Sequence, residues 1–211
     1  AVWGDIDNDN DLDLYVTAIE SLRFYLYIND GSGNFTEQAL LRGAAIETAT
    51  THRGFSVTFG DYDRDGFLDI HTDEWDFFCY HSRLLRNRGS AAPGSFTDET
   101  DAAGVANVRH TFASRFSDLD GDGWADLAIA SDFGYSRLFW NNGDGTFTNG
   151  TGAAQVGTDE NGMGSALGDI DGDGRLDWFV TSIYDPDETC ESANCGWGYS
   201  GNRLYRNEPN R

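Results

Sequence analysis

The chain has 211 residues and a formal charge of −22, from 36 acidic residues against 14 basic ones, and all of the basic residues are arginine. Such a charge repels nucleic acid and anionic membrane surfaces, and the lack of lysine removes Schiff-base chemistry and P-loop phosphate binding. No apolar run approaches the roughly 20 residues of a membrane-spanning helix, so neither nucleic acid nor membrane insertion is expected.

Read from the start, AVWG leads into DIDNDNDLD at 5–13, then the alternating run LDLYVTA at 12–18, FYLYIN at 24–29 and NFTEQA at 34–39. The same order returns as GFSVTFG at 54–60, DYDRDGFLD at 61–69, LDIHTDE at 68–74, RLLRN at 83–87 and SFTDET at 95–100. The third copy is TFASRFS at 111–117, DLDGDGWAD at 118–126, ADLAIAS at 125–131, RLFWN at 137–141 and TFTNGT at 146–151. The fourth is GMGSALG at 162–168, DIDGDGRLD at 169–177, LDWFVTS at 176–182 and RLYRN at 203–207, with no later run of the fourth type.

The acidic loops begin 56, 57 and 51 residues apart, a period that signals propellers or arrays. Four short strands joined by turns at this period predict an all-β fold, a β-propeller of four-stranded antiparallel blades near 1–48, 49–106, 107–157 and 158–211. Only 38–48 carries a trace of helical period. The first copy opens in mid-strand and the last stops at RNEPNR, so the expectation is one propeller segment of four blades, part of a larger ring.

Of the 27 aspartates, 17 lie inside the four loops. Carboxylates so closely spaced repel one another unless a hard cation neutralises them, and oxygen ligands in this number suit calcium better than magnesium. Positions 1, 3 and 5 are Asp5, Asp7, Asp9; Asp61, Asp63, Asp65; Asp118, Asp120, Asp122; and Asp169, Asp171, Asp173. Position 6 is Asn10, Gly66, Gly123 or Gly174, residues that tolerate a left-handed backbone. Position 7 is Asp11, Phe67, Trp124 or Arg175, a variety expected if only its backbone carbonyl coordinates, and position 9 is Asp13, Asp69, Asp126 or Asp177, placed for a bidentate carboxylate. About four calcium ions are therefore expected. An EF-hand is excluded, because position 12 is Val16, Thr72, Ile129 or Val180 rather than glutamate.

These loops, with FGDYD, GDID, the GMGSALGDIDGDG run at 162–174 and the RLY/RLF…N-x-GDGTF pattern, resemble the FG-GAP or VCBS repeats of integrin-α-type propellers. The likeness is greatest to the cartilage acidic protein group and its bacterial relatives. It covers essentially the whole chain, with two departures: Asn10 stands where glycine is usual, and the fourth copy lacks its last strand. The resemblance implies that calcium loops lie on one face and that ligands meet the other.

On that other face, aromatic-rich connections at 72–82 and 183–201 make Trp75, Phe77, Phe78, Tyr80, Trp197 and Tyr199 candidates for a contact surface, together with His52, Arg53, Arg109 and His110. The competing reading is that the rings pack inward. Arg83, Arg137 and Arg203 recur four residues before the third-strand asparagine, which points to a structural pairing with a carboxylate. Cys190 and Cys195, in CESANC, are close enough to staple a small loop by a disulfide in an oxidising compartment, whereas Cys79 reads as a buried thiol.

The leading expectation is a non-catalytic, calcium-binding extracellular module for adhesion to, or recognition of, a protein or glycan. A propeller enzyme of polysaccharide-lyase type, with His52, Arg53, Arg109 and His110 as its suspects, is the second reading. A self-assembling filament or surface-layer subunit is the third.

Overall fold

The structure is a computed structural model that describes residues 1–75, 82–106, 108–184, 198 and 200–208. Its described residues form sixteen strands and one short 3-10 turn at Gly89–Ala91, with no α-helix. The first sheet is β1 (Val2–Gly4), β2 (Asp13–Val16), β4 (Tyr25–Asn29) and β5 (Phe35–Glu37) in that spatial order. In the second, β3 (Ile19–Ser21) joins β6 (His52–Gly60), β7 (Asp69–Glu74), β8 (Arg83–Asn87) and β9 (Phe96–Asp98). The third holds β10 (Thr111–Ser117), β11 (Asp126–Ser131), β12 (Arg137–Asn141) and β13 (Phe147–Asn149). The fourth, among the described residues, has three strands: β14 (Gly162–Gly168), β15 (Asp177–Ser182) and β16 (Arg203–Tyr205). All pairings are antiparallel.

One feature differs from the sequence expectation, and the one trace of helical period is a turn. Ile19–Ser21, between the runs at 12–18 and 24–29, is an additional strand that leaves its own sheet to pair with Arg53 and His52 of the next. The stretch at 38–48 is a turn rather than a helix: Arg42 N–H reaches the Gln38 carbonyl and Ala44 N–H the Ala39 carbonyl, and Gly43, at φ 72°, stops the coil after one turn. That turn recurs after β9 and β13, with Gly104 at φ 79° and Gln155 at φ 55°.

The apolar cores lie between consecutive sheets and are built from repeat-equivalent positions. Ile6, Tyr15, Leu26, Ile70, Leu85 and Phe96 fill the first junction. Tyr62, Leu84, Leu127, Phe139 and Phe147 fill the second, and Leu119, Leu138 and Trp178 the third. β11 is buried along its whole length, which is why its sequence is a run of small and branched apolar residues rather than an alternation.

A recurring asparagine ties each third strand to the sheet before it. The side-chain amides of Asn87, Asn141 and Asn207 donate to the carbonyls of Ile6, Tyr62 and Leu119, at 2.8, 2.8 and 2.5 Å, while also reaching Leu68, Ala125 and Leu176 in their own sheets. The Asn87 Oδ1 accepts the amides of Gly89 and Gly94 and so closes the following turn. Asn87→Ala is expected to lower stability by about 2 to 4 kcal/mol, the sum of buried polar groups left unpaired, and the more exposed Asn29→Ala by about 1 kcal/mol or less. Urea unfolding checks this; equal losses at the two positions would refute the inter-sheet tie.

Candidate functional site

Each aspartate loop holds its shape through hydrogen bonds that its own carboxylates accept. The position-1 carboxylates Asp5, Asp61, Asp118 and Asp169 take the amide of position 6, at 2.9 to 3.0 Å. Position 5 takes the amide of position 7: Asp9 from Asp11, Asp65 from Phe67, Asp122 from Trp124 and Asp173 from Arg175. Only the backbone of position 7 is used in these bonds, which accounts for its variety of side chains. Position 6 is left-handed throughout, with φ from 73° at Asn10 to 90° at Gly123, and so is position 4, at Asn8, Arg64, Gly121 and Gly172. The strained fourth position carried no sequence signal, because Asn8 and Arg64 break the glycine pattern.

Position 9 does more than line the loop. One oxygen of Asp13, Asp69, Asp126 and Asp177 accepts the amide of loop position 2, and the other accepts the amide of Asn29, Asn87, Asn141 or Asn207. The expected bidentate ligand is thus already a clamp between loop and third strand. Each oxygen retains a second lone pair for a cation.

The side chains that converge are Asp5, Asp7 and Asp13; Asp61, Asp63 and Asp69; Asp118, Asp120 and Asp122; and Asp169, Asp171 and Asp177, with one oxygen from each residue of a group within 4.8 Å of the others. Asp9, Asp65, Asp126 and Asp173 stay outside these tightest groups. The donors are oxygens alone, without histidine or cysteine, a set that suits a hard cation. In the first loop, Asp7 Oδ1 is buried and has no hydrogen-bond partner, an oxygen left over for a positive charge.

Burial is the leading cause that raises Asp7, Asp65 and Asp120 above the usual carboxylate range, reinforced by neighbouring aspartates. Burial also lifts Asp13 and Asp126 to about 6 and Asp69 to about 8, against the opposing pull of the backbone amides they accept. Arginines partly offset the repulsion in three loops: Arg42 lies 3.3 Å from Asp7, Arg86 pairs with Asp63, and Arg206 pairs with Asp171. In the third loop Trp140 occupies the place of Arg86 and Arg206, and among the described residues no arginine pairs with its aspartates.

The expected contact residues lie at the opposite ends of the strands. His52 is fully buried rather than on a surface, its Nδ1 2.8 Å from Glu74 and its ring 4.7 Å from that of Phe24. His110 is buried too, 5.6 Å from Trp75, between the rings of Phe133 and Tyr135. Both histidines fill space that strand pairing leaves closed to solvent. Trp75 is half-buried and donates to Asp132 at 2.9 Å, with the exposed Arg53 over its ring. Arg109 is exposed beside Tyr135. His110 and Phe133 take left-handed backbones, φ 52° and 55°, uncommon for bulky residues. Phe77, Phe78, Tyr80, Trp197, Tyr199, Cys79, Cys190 and Cys195 lie outside the described residues.

The recurring arginines share a bond to a backbone carbonyl just before them, and the expected pairing with a carboxylate is met at one of the three. Among the described residues Arg83 alone of the three pairs with a carboxylate, Asp98 at 3.1 Å, whereas Arg137 and Arg203 donate to carbonyls of the chain just before them, Ser136 and Ser200 among them. The equivalents of Asp98 are Asn149 in the third sheet and nothing described in the fourth, so the carboxylate is missing there.

A family model for the FG-GAP-like repeat matches residues 2–72 and 118–180. No curated protein matches the chain. Among solved structures, an Agrocybe aegerita lectin described for specific recognition of non-reducing terminal N-acetylglucosamine superposes with a TM-score of 0.51 at 18% identity, over 86% of this chain and 46% of the lectin. The chain therefore spans about half the length of that relative, and the likeness is one of fold.

Between the second and third sheets, Ser114 Oγ donates to Asp73 Oδ2 at 2.8 Å and accepts from His71 Nδ1 at 2.9 Å, all three buried. Burial lifts Asp73 to about 7, although the bonds from Ser114 pull it down. Between the usual carboxylate value and 7, the folded chain keeps a proton that the unfolded chain has lost, so stability falls as pH rises through that window. The stability advantage of Asp73→Asn over the native chain is expected to grow from pH 4 to about 7 and then level off. Thermal melts of the two proteins across that range measure it, and a difference independent of pH would refute it.

Proposed function

The chain belongs to the FG-GAP-like repeat family, and on that premise we propose that its four sheets are blades of a β-propeller, that calcium fills the four aspartate loops, and that the molecule is an extracellular recognition module for a glycan. The observation that carries the calcium reading is the fourfold recurrence of converging carboxylates on loops already bent to shape by their own backbone bonds. Asp5, Asp7 and Asp13 and their counterparts would hold the ions. When bound, calcium supplies the positive charge that lets buried carboxylates such as Asp69 stay ionised at neutral pH.

The propeller reading is supported by the order of the sheets, each packed on the next through its first strand, β1 on β6, β6 on β10 and β10 on β14. Ile170, Phe179 and Leu204 are 56%, 38% and 46% exposed on the fourth sheet, while the equivalent Ile6, Tyr15 and Leu26 are covered by the second. That contrast supports a ring that continues past the fourth blade.

Glycan recognition is supported by the fold likeness to a lectin and by what stands at the end opposite the loops: Phe55 edge-on to Phe112 at 4.7 Å, Phe133 46% exposed, Tyr135 flanked by Arg109 and Arg137, and Arg53 over Trp75. Aromatic faces stack on sugar rings and guanidinium groups donate to hydroxyls or carboxylates. A binding rather than catalytic role accords with the burial of His52 and His110, the two suspected acid–base groups of the enzyme reading.

Chelation is expected to lower the melting temperature strongly. At free calcium ten times the dissociation constant each site adds about 1.4 kcal/mol, so four sites rival the net stability of a typical domain. The third loop, with no paired arginine to displace, is expected to bind tightest, and Asp120→Asn to remove that site alone from a calorimetric titration. Melts that are identical with and without chelator would overturn the calcium reading. A glycan array followed by titration of Phe133→Ala and Arg109→Ala tests the ligand: sugar binding lost without a change in the calcium-dependent melt supports the site, and a blank array refutes it.

A further inference from the structure

Neighbouring aspartate loops touch one another through the residue at position 4. Asn8 of the first loop, left-handed at φ 59°, donates its side-chain amide to the carbonyl of Gly66, position 6 of the second loop, at 2.9 Å. Arg64 holds position 4 of the second loop, at φ 57°, and its guanidinium lies 5.2 Å from the ring centre of Trp124, position 7 of the third loop. It is also 3.3 Å from where a Cβ on Gly123, position 6, would stand. One place in the repeat thus reaches one place in the following loop, at two successive junctions. The third loop carries Gly121 there, with no side chain to extend to the fourth, and a Cβ built on it meets nothing within 4 Å.

What Asn8 holds is the part of the second loop that a cation needs fixed. Phe67 N–H donates to Asp65 at 3.0 Å, so the peptide joining Gly66 to Phe67 is pinned on its N–H side by its own loop and on its carbonyl side by Asn8. That peptide leads into Phe67, whose own carbonyl is the expected backbone ligand. Asn8 is ordered in turn by the first loop, because the amides of Asp9 and Asn10 that follow it both donate to Asp5, at 3.1 and 2.9 Å. An empty loop must gather its carboxylates against their mutual repulsion. A bond made from a neighbour that is already ordered removes part of that conformational cost beforehand.

We propose that Asn8 and Arg64 are positioning residues that couple adjacent calcium sites, the first loop to the second and the second to the third, so that filling one raises the affinity of its neighbour. The proposal rests on the calcium reading and adds how the sites act together. The aspartates remain the ligands, and the position-4 side chains act through the backbone of the next loop. Repulsion between two bound cations has the opposite sign, so a positive coupling identifies the contact rather than the charge as its carrier. By linkage the effect is reciprocal: the second loop, when filled, raises the affinity of the first by the same factor. Glycine at position 4 of the third and fourth loops, left-handed at Gly121 and Gly172, shows that a loop closes without this side chain. Asn8→Gly therefore removes the link and keeps the turn.

The test is a calcium titration followed by NMR at the position-6 amides of Asn10, Gly66, Gly123 and Gly174, each bonded to the position-1 carboxylate of its own loop and so reporting that loop alone. Asp7→Asn, which silences the first loop, is expected to move the Gly66 midpoint to roughly 3- to 10-fold higher calcium, the worth of one exposed hydrogen bond. With Asn8→Gly also present, the same change is expected to move it about 2-fold or less. Asn8→Gly alters no charge, so this comparison cancels the electrostatic effect of Asp7→Asn. Asp63→Asn with and without Arg64→Gly tests the second link in the same way at Gly123. Gly121→Asn is expected to add a link, so that silencing the third loop with Asp120→Asn moves the Gly174 midpoint further than it does in the native chain. Four amides that respond with independent midpoints, or a Gly66 shift of equal size with and without Asn8→Gly, would overturn the coupling and leave the calcium reading standing. Amides that do not respond to calcium at all would overturn both.

Discussion

The position-nine carboxylate is the point on which the rest of the structure turns. Asp69 holds the amide of Tyr62 within its loop and the amide of Asn87 across the sheet, and the Asn87 side chain reaches on to Ile6 in the sheet before. One buried carboxyl group thus fastens a loop, a strand and a neighbouring sheet, and the same chain of bonds is repeated at Asp126 with Asn141 and at Asp177 with Asn207. Because this group is buried, its charge is costly unless amides and a cation share it. The electrostatic state of the loops is therefore coupled to the packing of the sheets.

The two ends of the strands are built on different principles. At the loop end, short carboxylates bend a tight backbone, and the left-handed positions fall mainly on glycine and asparagine, where they cost little. At the other end, bulky residues accept the cost: His110 and Phe133 are left-handed, and their rings meet at 5.1 Å. The buried groups there, His52 with Glu74 and Asp159 with Ser136 and Tyr205, hold strand ends together rather than face solvent. What reaches solvent is a set of aromatic faces and guanidinium groups on that rigid base.

Much of this was legible in the residues. The fourfold order of strand, aspartate loop, strand and strand fixed the element types and the approximate strand bounds, because the alternation of LDLYVTA and the aspartate spacing are local signals that need no partner to interpret. The convergence of Asp5 with Asp7 and Asp61 with Asp63 was legible for the same reason. The clamp made by position nine was not, since the asparagine it serves lies 15 to 30 residues later. Nor was the burial of His52 and His110: a histidine at the head of a strand looks the same in sequence whether the neighbouring sheet covers it or not.

The sequence by itself determined an all-β repeat, the identity of its loops and the oxygen chemistry they offer, because short-range periodicity and turn stereochemistry settle these within each copy. Only the tertiary structure decided which faces are closed, that β3 crosses to the next sheet, and that Arg137 and Arg203 bond to carbonyls rather than to acids. Those outcomes depend on what one sheet places against another, and residues of the same type in equivalent positions meet different neighbours in each junction.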